Sequence, residues 1–226
     1  MCWAYLRSSI GKKQIVAATG LVLISFVVAH LAGNLSFYLG AAAFNAYAAK
    51  LKSFRPVLNV AEAGLLLIFI VHMITTFCLI LQNRRARGRG YACNKGSGVQ
   101  TLSSKLMSYT GPIVLIYVIL HLFDYTWADH HGAASVVRGV NYGLYGLVYR
   151  SFTSWGHSLW YIVAMIAVGF HLDHGVQSFF QTFGLNNKNY APCLKKLSRL
   201  FAIVITLGYV SIPLYVFVIN NYGCTR

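Results

Sequence analysis

Four histidines stand singly inside four separate apolar stretches of this chain: His30, His72, His121 and His171. Two of them share one written pattern. Thr19-Gly20 is followed after nine residues by His30-Leu31, and Thr110-Gly111 is followed after nine residues by His121-Leu122. An ionisable ring in an apolar setting is costly, so it marks a functional site or has a partner. Imidazole can give one neutral ring nitrogen to a metal while the other is hydrogen-bonded nearby. Four such rings, one per stretch, have the make-up of axial ligands for two haems. The chain has no C-x-x-C-H attachment motif, so a haem here would be held non-covalently. Its five cysteines are scattered without a C-x-x-C pair, which gives no support to a zinc or iron–sulfur site. Cys78 reads as a small apolar packing residue.

The elements that must position these rings follow from composition. Of 226 residues, 57% are hydrophobic and 10% charged, too few charges to cover a water-soluble domain. Five stretches, about 14–38, 57–82, 106–125, 154–183 and 200–220, approach the roughly 20 apolar residues that cross a bilayer core. Glu62 and the Asp173 region interrupt them with acids. The first stretch is too long and lacks the small-residue cleavage site of a signal peptide. The expected fold is therefore an all-α membrane protein of one domain over residues 1–226, with five transmembrane helices, four of them forming a dihaem-binding bundle. The fifth stretch carries Pro213 and no histidine, and is expected to pack against the other four without binding a cofactor.

A net charge of +15 raises the question of nucleic acid, and its distribution answers it. Arg7, Lys12, Lys13, Arg84, Arg85, Arg87, Arg89, Lys95, Lys105, Lys188, Lys195, Lys196 and Arg199 fall on one side of the spans. Lys50, Lys52, Arg55, Arg138, Arg150 and Arg226 fall on the other. This 13-to-6 split follows the positive-inside rule, with the N-terminus in the cytoplasm and the C-terminus outside. The charges read as topology and anionic-lipid contacts, not as a nucleic-acid surface. Lys50 to Pro56 closes the first outer connection, and Arg84 to Gly98 reads as a polar inner loop. Trp127 and Trp155 are placed as belt aromatics at the outer interface. The Gly/Tyr-rich stretch Gly139–Tyr149 reads as a short interfacial helix.

With that topology the histidines can be ranked by depth. His30 lies eight residues before Tyr38 and His121 eight before Asp129; His72 lies sixteen after Pro56 and His171 sixteen after Trp155. At about 1.5 Å per residue the first pair lies about 12 Å below the outer edge and the second about 24 Å. His30 with His121 would hold an outer haem, and His72 with His171 an inner one. Gly20 and Gly111, about three turns before their histidines, let either a porphyrin or a neighbouring helix come close. His130 and His131 are expected to be solvated in an outer loop, and His157 to line an outer pocket. His174 competes with His171 as inner ligand, with depth slightly favouring His171.

The chain resembles the cytochrome b subunit of dihaem succinate dehydrogenases and fumarate reductases, the five-helix type with a single anchor chain. The resemblance covers most of its length. It rests on SSIGKK and ATGL near the N-terminus, FVVAHLAGNL around His30, AFNAY, IFIVHM around His72, LQNRRARG, VILHLFDY around His121, and GFHLDHGVQSFFQTFG around His171. The last block is the most specific. In that family the histidine after Phe is the ligand, here His171, and the position of His174 varies. The resemblance implies two b haems, the inner one near the partner iron–sulfur subunit. It also implies a flavoprotein and an iron–sulfur subunit on the cytoplasmic face of a bacterial inner membrane, exchange with membrane quinone (menaquinone or ubiquinone), and complexes that commonly dimerise. Succinate or fumarate chemistry would belong to the flavoprotein, and this chain has no nucleophile–base constellation of its own.

Quinone reduction needs two protons, so an ionisable group near the outer haem is wanted. Glu62 is the best candidate in the sequence, with a partnership to Arg55 or to a haem propionate as its competing role. Asn45, Tyr47, Lys50 and Arg55 are further candidates for contacts to quinone or propionates. Some menaquinol-oxidising relatives carry a glutamate beside the fourth ligand, where this chain has Gly169 and Phe170. Two rival functions stand beside this one. One is the dihaem cytochrome b of a hydrogenase or formate dehydrogenase, against which the HLDHGVQSF block weighs. The other is a haem-free transporter with proton-relay histidines, which would need more acids along its path than the chain has.

Overall fold

The computed structural model describes residues 5, 7–87, 101–187 and 189–222. Arg89, Lys95, Lys188 and Arg226, counted above for topology, and Cys2, Cys93 and Cys224 lie outside the described residues. Seven helices of more than ten residues occur among the described residues: α1 (Ser9–Asn34), α2 (Ala41–Ser53), α3 (Arg55–Arg87), α4 (Leu102–His121), α5 (Gly143–Thr153), α6 (Trp155–Thr182) and α7 (Ala191–Tyr222). Five of them, α1, α3, α4, α6 and α7, are long and apolar enough to cross a membrane. All but α6, which lies within its stretch, begin or end some residues beyond it, because hydropathy marks the hydrocarbon and helices continue past it as polar turns. The Arg-rich tail of α3 shows this, running through Arg84 and Arg85 to Arg87. Ser8 caps α1 through the Gly11 N–H at 3.1 Å, and Thr101 caps α4 through the Ser104 N–H at 3.2 Å. Pro112 and Pro213 stand inside α4 and α7, as membrane helices tolerate.

The helix α6 is the hub: it packs on α1, α4, α5 and α7, and 39% of its most apolar window is buried against 0% for α3. Small residues permit this. Ala164, Ala167 and Gly169 are all buried on α6, and a Cβ at Gly169 would run into the Thr206 hydroxyl of α7. The fifth span thus leans on α6, with lesser contacts to α1 and α5, and does not meet all four helices equally. The outward faces carry Leu66, Leu67, Phe77 and Leu207, each more than half exposed. Apolar surface of that extent belongs in hydrocarbon, not in water.

Two shorter helices cap one end. The segment read as a plain outer connection contains α2, and the expected interfacial helix is α5, starting at Gly143 and running past Arg150 to Thr153. Between α4 and α5 lies a two-residue hairpin, Val136–Val137 paired with Val140–Asn141, turning through Arg138 and Gly139, both at positive φ. Asn45 ties the caps together, donating to the Tyr142 carbonyl (2.7 Å) and accepting from the Tyr145 N–H (3.1 Å). His130 departs from expectation. Its Nε2 bonds the Tyr125 carbonyl at 2.7 Å and its Nδ1 meets Lys52 Nζ at 3.1 Å, so it fastens the cap and is not a solvated loop residue. His131 is exposed, as are Trp127 and Trp155. A core of Phe37, Phe44, Val148, Phe152, Tyr161 and Ile212 sits beneath the caps. A second core of Leu31, Leu172, Ala202 and Ile205 joins α1, α6 and α7 lower down.

Candidate functional site

The fold brings the histidines of α1 and α4 face to edge. The His30 and His121 ring centroids are 5.9 Å apart, their planes at 88°. A first-row metal–imidazole bond is about 2 Å, so two rings bonded to one metal from opposite sides have centroids about 6 Å apart. Aromatic neighbours hold both rings. Phe26 stacks on His30 at 5.2 Å, while Tyr117 and Tyr125 lie 5.5 and 5.3 Å from His121. The Tyr117 hydroxyl also reaches His121 Nδ1 at 3.5 Å. The two histidines open into a cavity of about 270 Å³. It runs outward between Tyr161 and Tyr209 to Phe44, Tyr47 and Leu144 under the caps. Tyr209, Ile212 and Pro213 of α7 line it too, so the fifth span, which carries no histidine, contributes one wall.

The second pair is built differently. Thr19 Oγ1 donates to the Ile15 carbonyl at 2.7 Å and lies 2.9 Å from His72 Nδ1. The hydroxyl's single hydrogen is engaged by the carbonyl, so its oxygen accepts from Nδ1–H. That tautomer leaves the His72 Nε2 lone pair free for a metal. Gly20 makes room for the ring: a Cβ there would lie 3.4 Å from His72 Cε1. Gly20 therefore serves the approach of a neighbouring helix's histidine, whereas around Gly111 nothing stands within 4 Å. His171 stands on α6 one turn before His174. Its Nδ1 is buried with no hydrogen-bond partner among the described residues. A buried ring nitrogen left this way costs about 1–3 kcal/mol unless something outside the chain meets it.

The outer pair thus fits the group that the ligand pattern implies by ring spacing and open space, and the inner residues offer it a free His72 nitrogen and an unpartnered His171 nitrogen. The quinone candidates are placed elsewhere. Glu62 and Arg55 form a 3.7 Å ion pair whose side chains are both more than half exposed, and neither lines the cavity. Lys50 is exposed, Asn45 is engaged in the cap, and Tyr47 alone of that set lines the cavity.

Two further sites are not evident in the hydropathy pattern. Asp173, 5% exposed, accepts hydrogen bonds from Ser103 of α4, Gln177 of its own helix (2.7 Å) and Ser198 of α7 (3.3 Å). It knots three helices at the end opposite the caps, two residues from His171. Asp124 lies where α4 widens into a π-helical turn, Leu122–Thr126, closed by the Trp127 N–H to the Leu122 carbonyl at 2.9 Å. The signal for Asp124 was an acid three residues after a candidate ligand at the end of an apolar run. Comparison with protein-family models, curated proteins and solved structures returns no match. The residues and their geometry are what bear on function.

Proposed function

We propose that this chain is the dihaem cytochrome b anchor of a succinate dehydrogenase or fumarate reductase, set in a bacterial inner membrane with its N-terminus cytoplasmic. The observation that carries the cytochrome part is the His30–His121 pair, facing across a cavity at the spacing that two bonds to one iron require. The sequence blocks around the four histidines carry the choice of family. When bound, two b haems supply one-electron carriers between a partner's iron–sulfur clusters and membrane quinone.

The chain's own residues bind, orient and insulate. His30 and His121 ligate the outer haem, and His72 and His171 the inner. Thr19 fixes the His72 tautomer, which sets the basicity of the ligating nitrogen. Phe26, Tyr117, Tyr125 and Tyr209 surround the outer rings and keep them in a low-dielectric setting. The basic ends of α1, α3 and α7 face the cytoplasmic partners, a flavoprotein and an iron–sulfur subunit, and anionic lipid.

The test is a dithionite-reduced minus oxidised spectrum of the purified chain with whatever travels with it, and haem quantified per polypeptide. Two low-spin b haems per chain, with a flavoprotein and an iron–sulfur protein co-purifying, is the expected result. A folded, assembled preparation without haem overturns the proposal and favours the transporter.

A further inference from the structure

The chain has four acids: Glu62, Asp124, Asp129 and Asp173. Glu62 is paired with Arg55 on the surface, Asp129 accepts the His131 N–H in the outer loop, and Asp173 is knotted among its three donors. Asp124 alone is hydrogen-bonded to a side chain that lines the cavity. Its Oδ2 accepts from the Tyr161 hydroxyl at 2.6 Å. Tyr161 is 4% exposed, whereas the side chains of Asp124 and His157 are 32% and 26% exposed. The three residues therefore run from the capped face of the molecule to the cavity wall.

His157 completes the row. Its ring stacks on Tyr161 with centroids 4.6 Å apart, and its Nε2 lies 3.6 Å from the same Asp124 oxygen. That distance is beyond a made hydrogen bond, and Nε2 is buried with no hydrogen-bond partner among the described residues. A small rotation of either side chain closes the gap. Glu62 offers the contrast. Its neighbour is an arginine, which keeps its proton at any working pH, while Asp124 faces an imidazole, which can take one up and release it. The π-helical turn is what aims Asp124 at α6, and such turns recur where a helix must present a functional side chain.

We propose that Asp124, His157 and Tyr161 form the proton entry of the outer cavity, with the Tyr161 hydroxyl exchanging protons with a quinone oxygen held beneath the caps. This rests on the proposed function, in which quinone turns over on that side. In reduction, the quinone takes two electrons, which the soluble partner releases from succinate and which arrive one at a time. Each C=O becomes C–O–H. One C=O takes its proton from the Tyr161 hydroxyl as the tyrosine oxygen takes one from the Asp124 carboxyl, which reloads through His157 from outside water, and the far C=O takes its proton from water in the cavity. In quinol oxidation the same protons leave in the reverse order. The hydrogen bond observed, with Tyr161 donating to Asp124, is the arrangement that passes a proton outward.

The experiment uses the whole complex with its haem content measured first, and the variants Asp124→Asn, His157→Gln and Tyr161→Phe. Reduction of a short-chain ubiquinone by succinate should fall at least tenfold in Asp124→Asn and Tyr161→Phe, and less in His157→Gln, with two haems and the visible spectrum retained. Added formate should restore part of the rate in Asp124→Asn and none in Tyr161→Phe. The redox-induced infrared difference spectrum should lose a carboxyl band in Asp124→Asn. Two haems with wild-type quinone turnover and an unchanged infrared spectrum in Asp124→Asn overturn this inference alone. A preparation without b haem overturns the proposed function and this inference with it.

Discussion

The two histidine pairs are held by different physics. The outer pair stands in an aromatic box, with rings packed by Phe26, Tyr117 and Tyr125 and open space beside them. At the inner pair His72 has a polar partner in Thr19, while His171 stands two residues before Asp173 and its three donors, its own Nδ1 without a partner among the described residues. Packing is tolerant, because aromatic rings shift by small amounts at small cost. A hydrogen bond in hydrocarbon is directional, and a lost partner is not replaced by water. Under the proposed function, that difference would suit the outer site to exchange with a mobile molecule and the inner site to holding one carrier in one orientation.

The largest effect that separates the two should come from the ligands themselves. His121→Ala should remove one haem per chain and leave the other with its spectrum intact. His171→Ala should remove the other haem, while His174→Ala should keep both. Haem extracted and quantified against protein checks all three, and loss of haem in His174→Ala with retention in His171→Ala would reverse the inner assignment. Next in size is Asp173→Ala, which strands the buried Ser103 hydroxyl and the Gln177 amide and leaves the Ser198 hydroxyl only the Lys195 carbonyl. A neutral bond between membrane helices contributes only about 0.6 kcal/mol. A bond to a buried charge contributes about 1.5–3 kcal/mol, so the variant should lose about 3 kcal/mol or more. Thermal loss of the haem absorbance in detergent reads this. A melting curve unchanged from wild type would show that Asp173 is not the knot its contacts describe.

Much of the spanning architecture was legible, because a bilayer allows few solutions and the apolar runs are long. The facing of His30 and His121 was legible to within about one turn: each was counted eight residues before a marker, Tyr38 or Asp129, and the spans end at Leu39 and Thr126, nine and five residues beyond the two rings. The caps were harder. Over its 13 residues α2 holds alanines and two lysines and has no apolar run, and its helical character comes from packing Phe44 and binding Asn45 across to α5. His130 carried no sign of its partners, since Lys52 lies 78 positions away and joins it only once the caps close. Asp173 reads as an acid that interrupts an apolar run, and its three donors come from positions 103, 177 and 198. Asp124 depended on a local change of helix pitch, which periodicity does not reveal.

Thr19 sharpens the contrast at smaller cost. In Thr19→Val the side chain keeps its shape and loses the oxygen that accepts from His72 Nδ1. Loss of an outer-shell partner of this kind weakens metal affinity about 10–100-fold. The inner haem should therefore dissociate faster and its midpoint potential should move, while the outer haem keeps its own. Potentiometric titration of the two haems checks this. Equal shifts in both would mean that Thr19 acts on the whole helix pair and not on one ligand.

The smallest effect belongs to the two glycines that open the repeated Thr-Gly…His-Leu pattern. Written alike, they meet different surroundings. A methyl group added at Gly20 would lie 3.4 Å from His72 Cε1, tight enough that the ring must give by a few tenths of an ångström, while one added at Gly111 meets no atom within 4 Å. The ring cannot give freely, because Thr19, one residue away, holds its Nδ1. Gly20→Ala should thus rotate the His72 plane and shift the low-field signal of the inner haem in electron paramagnetic resonance, at little cost in haem content. Gly111→Ala should leave the haem signals of the unbranched aromatic box where they are, and should stabilise α4 by about 1 kcal/mol as alanine replaces glycine in a helix interior. If Gly111→Ala instead expels the outer haem, the open space beside that glycine is space the porphyrin needs, and the two halves of the repeated pattern serve different partners, one a histidine and the other the cofactor itself.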